Sequence, residues 1–128
     1  MQRNLLDTHT LIWFINGDTT LSNKVRQAVE ANDTVNFVSI VSLWEIAVKV
    51  SLGKLELKTT YYKIYDQLID NGFELLPITF EDTLIVSGLP FVHRDPFDRL
   101  IIAQAMNNNL IILSKDQHFS SYEATVLW

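Results

Sequence analysis

The chain has 128 residues, 48% hydrophobic and 20% charged, the balance of an ordinary globule rather than of a disordered or low-complexity segment. With 10 basic residues against 15 acidic ones the net charge is −5, which argues against a pure module that grips nucleic acid by a basic surface. There is no cysteine, so disulfides and thiolate metal sites are excluded and oxygen-ligand metals are favoured.

The length suits one domain over 1–128, and at this size roughly two thirds of the unfolded chain's surface can be buried. Asp7 and His9 interrupt the first apolar run and no small-residue cleavage site follows, so no signal peptide is read. The apolar runs are far shorter than the ~20 residues of a membrane span. The expectation is a soluble, cytoplasmic protein with no membrane contact.

In chain order, residues 2–7 read as a strand and Thr8–Asn16 as a helix, ended by Gly17-Asp18. Ser22–Ala31 reads as an amphipathic helix with Val25, Ala28 and Val29 inward, and Val35–Val38 as a second strand. Ser42–Leu52 reads as a helix stopped by Gly53. Tyr61–Asn71 is helical again, Phe73–Ile78 a third strand, and Thr79–Ser87 a helix opened by Thr79. Pro96–Asn108 is a helix, Leu110–Leu113 a fourth strand, and Thr125–Leu127 an edge strand. The run Leu110-Ile111-Ile112-Leu113 has no polar alternation, as in a strand covered on both faces. Strands separated by helices imply right-handed crossovers. The fold expected is α/β, a three-layer α/β/α sandwich around a parallel sheet of four to five strands.

Four acids sit where a strand hands over to a helix or turn: Asp7, Glu45, Asp98 and Asp116. In a parallel sheet such junctions share the edge outside the strands' carboxyl ends, where ligands bind. Singly, each has a structural explanation. Asp7 can cap the helix that follows it. Ser42-x-x-Glu45 has the spacing of a capping box, and Glu45 can pair with Lys49 one turn on. Asp95 can cap the helix opened by Pro96, with Asp98 on its dipole. Asp116 follows a strand in a turn. None of these explains why acids recur on one sheet edge. Gathered there, they would repel one another unless a cation held them, and hard divalent ions bind carboxylate oxygens. Thr8 and Ser114 add hydroxyls beside two of the acids. The three histidines have no zinc spacing and read as surface residues or as residues orienting the acids. Trp13, Phe14 and Trp44 read as core or interface, and no glycine-rich phosphate loop is present.

The segments Leu5-Leu6-Asp7-Thr8-His9-Thr10, Val41-Ser42-Leu43-Trp44-Glu45-Ile46-Ala47, His93 to Ala105 and Leu113-Ser114-Lys115-Asp116, in this order, resemble the PIN domain family, specifically VapC-like toxins of toxin–antitoxin pairs. The resemblance runs from Leu5 to about Val126. It implies that Asp7, Glu45, Asp98 and Asp116 are the catalytic, metal-binding acids, that Mg2+ or Mn2+ is the cofactor, and that RNA phosphodiesters are hydrolysed by an activated water. It also implies a homodimer and a cognate antitoxin that packs into an apolar groove. Of Asp95 and Asp98 only one is needed as a ligand; Asp98 is the better match and Asp95 the helix cap. Arg94, Arg99, Lys49 and Lys115 are candidates for guiding RNA. Two other readings remain: a phosphoaspartyl domain of receiver or phosphatase type, using an acid with Ser114-Lys115, and an inactive PIN-like interaction module.

Overall fold

A computed structural model describes residues 1–128. Its strands are β1 (Gln2–Leu6), β2 (Thr34–Ser39), β3 (Glu74–Leu76), β4 (Ile111–Leu113) and β5 (Thr125–Leu127). Its helices are α1 (Thr8–Asn16), α2 (Asn23–Glu30), α3 (Ile40–Ser51), α4 (Ile64–Asp70), α5 (Phe80–Gly88) and α6 (Pro96–Asn108). The five strands form one parallel sheet in the order β3-β2-β1-β4-β5. This is the α/β/α sandwich expected, with the larger of the two strand counts.

Strand alternation assigns the layers. Successive side chains of a strand point to opposite faces. Leu6, Val38 and Leu113 join the core beneath α1, α2 and α4, together with Leu11, Val25 and Leu68. Leu5 and Ile112 join the opposite core with Ile101, Ile102 and Phe119. Covering both faces suits the wholly apolar β4 and the Leu5-Leu6 end of β1. Two polar staples cross this interior. Asn4 donates to Asn36 across the β1–β2 pair at 2.9 Å, and Ser39 donates to Gln104, which bonds the carbonyl of Pro77.

Several boundaries differ from the sequence reading, each for a local reason. The helix after β2 begins at Ile40, because Ser39 itself caps it by accepting from the N–H of Val41. Ser42 therefore lies inside the helix, and the Ser42–Glu45 capping box does not form. The helix expected from Tyr61 opens as a 3-10 turn over Tyr61–Lys63, with no side chain capping it, before α4 begins. Pro77 has no N–H to continue β3, which stops at Leu76. Leu110 is spent on closing α6, its N–H bonding Ala105 behind the left-handed Asn109, so β4 starts at Ile111.

The chain steps from β1 outward to β3, then returns to the far side of β1 for β4. The direction reverses at β1, and a crevice opens beyond the carboxyl ends of β1 and β4. Asp7 and Ser114 are the residues that follow those two ends.

Candidate active site

Asp7 is 3% exposed and committed on both oxygens. One accepts the N–H of Thr10 at 2.8 Å, capping α1; the other accepts the hydroxyl of Ser114 at 2.6 Å. Its own N–H bonds Leu113, so backbone and side chain together lock β1 to β4. Burial pushes its carboxyl above the ordinary range, in spite of these hydrogen bonds.

Glu45 projects from α3 and is also 3% exposed. One oxygen, Oε2, pairs with Lys49 Nζ at 2.8 Å one turn on. The other, Oε1, is buried with no hydrogen-bond partner. With the capping box absent, no helix-end role accounts for this glutamate. An unpartnered buried carboxylate oxygen is costly and calls for a donor or a cation.

Asp98 lies in the first turn of α6, which Asp95 caps through the N–H groups of Phe97 and Asp98. The cap and the acid are thus separate residues. Burial pushes the Asp98 carboxyl up to about 8, and the charges of Asp95, Glu45, Asp7 and Asp116 push in the same direction. That coupling is the physical signature of four acids facing one another across one edge of the sheet. His93 reaches Asp98 from the loop before α6, with Nε2 3.4 Å from Oδ2.

Asp116 opens the 3-10 turn Gln117–Ser121 and accepts from both the N–H and the ring Nδ1 of His118 at 2.9 Å. Burial raises its carboxyl, but these bonds and the charges of His118 and His93 outweigh burial and hold it below the ordinary range. A cleft of about 530 Å³ opens here, with Asp7 and Asp116 in its wall beside His9, Trp13, Lys115 and His118.

No three acidic or histidine side chains already stand around a single point as an ion cage. The acids are gathered but spread, and Lys49 takes a cation's place against Glu45. The donor set still suits a hard divalent ion: carboxylate oxygens from four elements, one of them unpartnered.

The remaining candidates divide. Ser114 touches Asp7 directly, whereas Thr8 donates to Ser42 at 3.0 Å and braces α1 against α3 instead. Arg94 and Lys115 are exposed at the rim. Lys49 is engaged with Glu45. Arg99 does not reach the rim at all: it is 5% exposed and donates to the carbonyls of Pro90, Leu89 and Val86. Its expected role in guiding RNA is therefore corrected to one of holding the end of α5. Tyr122 went unnoticed in the sequence; its hydroxyl meets His93 Nδ1 at 2.8 Å, a pairing 29 positions apart that no local pattern encodes.

The sequence model of the PIN domain matches residues 5–124. No curated protein matches the chain. Among solved structures, VapBC2 from Rickettsia felis bound to a promoter DNA fragment is similar with TM-score 0.75 and 15% identity, covering 99% of each chain. DNA-bound VapBC from Salmonella typhimurium is similar with TM-score 0.71 and 18% identity, covering 99% of this chain and 98% of that one. The PIN domain endonuclease Utp24 is similar with TM-score 0.52 and 18% identity, covering 92% of this chain and 74% of that one. At these identities the likeness is one of fold.

Proposed function

The chain belongs to the PIN domain family, and from that premise we propose that it is a divalent-metal-dependent endoribonuclease, a VapC-like toxin restrained by a cognate antitoxin. PIN domains are in general nucleases, which sets aside the phosphoaspartyl reading. The observation that carries the proposal is the buried, unpartnered Oε1 of Glu45 on the edge of the sheet where the buried Asp7 and the part-buried Asp98 and Asp116 also lie. Such a set is unfavourable as bare carboxylates and favourable around a cation. An inactive interaction module would have no reason to keep it.

Asp7, Glu45 and Asp98 would hold Mg2+ or Mn2+, with Asp116 completing the site. When bound, the ion draws charge from the scissile phosphate and makes water a stronger nucleophile near neutral pH. The chain's own residues do the rest. Ser114 and Thr10 hold Asp7 in one orientation. Lys49, paired with Glu45 Oε2 at 2.8 Å, sets an ammonium beside the site, where it would meet a phosphate. Lys115 and Arg94 steer the backbone of the RNA, and the cleft beside Trp13 and His9 receives an unstacked base, as suits single-stranded targets.

Two exposed apolar faces support the two protein contacts proposed, a homodimer and an antitoxin. One is a groove of about 260 Å³ between α3, α5 and α6 lined by Trp44, Phe97 and Leu100, with the exposed Phe80 one turn before the lining residue Thr83. The other comprises Tyr62, Tyr65 and Ile69, at helical spacing on and just before α4. Patches of this kind mark interaction sites.

Purified, antitoxin-free protein should cleave single-stranded RNA with Mn2+ and lose cleavage in EDTA. Asp7→Asn and Asp98→Asn should each lower the rate by at least about 100-fold. Full metal-dependent cleavage by either variant would overturn the assignment. Single-stranded DNA in parallel decides which nucleic acid is the substrate.

A further inference from the structure

We infer that His93 is a positioning residue that anchors one oxygen of Asp98 and so leaves the other for the divalent ion. The inference rests on the metal-site reading above.

The imidazole is held on several sides. Tyr122 Oη lies 2.8 Å from Nδ1 and accepts the backbone N–H of His93 at 3.4 Å. Because that oxygen accepts from the backbone, its own hydrogen is free to donate to Nδ1. A neutral ring accepting at Nδ1 carries its proton on Nε2, and a protonated ring carries one on each nitrogen, so Nε2 is a donor in either state. Nε2 is buried, has no hydrogen-bond partner, and stands 3.4 Å from Asp98 Oδ2. The donor thus faces the acid, slightly beyond bonding geometry.

The ring is also clamped against rotation. It stacks on His118 with centroids 5.5 Å apart and planes 6° apart, and Phe119 meets it edge-on. His118 in turn holds Asp116. Two stacked imidazoles therefore each hold one acid of the site, and Tyr122, beyond the 3-10 turn, sets the register of the pair. Fixing a ligand's free atom by an outer hydrogen bond orients that ligand, and losing such a bond typically weakens metal binding 10–100-fold.

The two amide substitutions separate the ring's two ends. Asparagine places its amide near Nδ1, keeping the Tyr122 contact and losing the one to Asp98. Glutamine reaches toward the position of Nε2. Calorimetry with Mn2+ alone should show His93→Asn binding roughly 10-fold more weakly than wild type, His93→Gln within about 3-fold of it, and Tyr122→Phe in between. Melting temperatures in EDTA should differ little between the two amide variants. Unchanged Mn2+ affinity in His93→Asn, or an equal loss in Asn and Gln variants that tracks their melting temperatures, would overturn the inference. Wild-type protein that takes up no Mn2+ would overturn the nuclease reading and this inference together. Wild-type uptake abolished by Asp98→Asn but untouched by His93→Asn would overturn this inference alone.

Discussion

Burial and like charge meet most sharply at Asp98, and the resulting stress has a measurable sign. An acid raised to about 8 in the folded protein binds its proton more tightly there than in the unfolded chain, where the value is near 3.8. Its favourable contribution is present below the unfolded value and is lost as pH rises through the folded one. Cation-free protein therefore loses stability between about pH 4 and about pH 8. Asp98→Asn removes that loss. In EDTA at about pH 8 the variant should melt higher than wild type by roughly 3–10 °C, corresponding to about 1–2 kcal/mol after solvent screening. The gap should close toward about pH 4.5, and thermal melts across this range check it. A gap independent of pH would show that charge is not its origin. The same substitution that stabilises the bare protein should abolish cleavage. Of the acids, Asp7, Asp98 and Asp116 combine at residue scale the local role read from sequence, as cap, helix-dipole partner and turn residue, with a place at the shared edge. Glu45 keeps the Lys49 pairing read for it, but its capping box does not form.

At the scale of elements, Arg99 binds two helices together. Its guanidinium donates to three carbonyls at the end of α5 and the loop beyond, and it stacks 4.4 Å from the Phe91 ring centroid. Losing charge-assisted bonds to buried carbonyls leaves those carbonyls unsatisfied, so Arg99→Ala should cost about 2–3 kcal/mol in urea unfolding. Arg99→Lys should recover less than half of that, because an ammonium cannot reproduce the fork. A cost under about 0.5 kcal/mol would return Arg99 to the surface role that its sequence position suggests. The sequence could not separate these roles, since an arginine one place after a site acid reads as substrate-facing until the helix's rotation is known. Helix starts were hidden for a similar reason. In Phe37-Val38-Ser39-Ile40-Val41-Ser42 either serine could cap, and only the length of β2 decides for Ser39.

For the whole molecule, the exposed face of α3, α5 and α6 has a consequence for assembly. Phe80 is 72% exposed and Trp44 57%, outside the two buried apolar cores. If this face carries the homodimer, light scattering should give twice the mass of one chain, and Trp44→Glu should shift it to the monomer with unchanged circular dichroism. A dimer that survives Trp44→Glu would place the contact on the face around Tyr62 and Tyr65 instead. No helix is long and apolar enough to cross a membrane, so a bilayer-spanning helix does not account for either face.

The sequence by itself determined the alternation of strands and helices, the parallel sheet, and the recurrence of acids at strand ends. These follow from hydrophobic period and local chemistry, which act over a few residues. Only the tertiary structure decided how the acids relate. The order β3-β2-β1-β4-β5 sets Asp7 beside Ser114, 107 positions apart, and burial raises Asp98 against its neighbours. It also turned Arg99 inward and brought Tyr122 onto His93. Charge coupling and hydrogen bonding depend on distance in space, and a sequence records distance only along the chain.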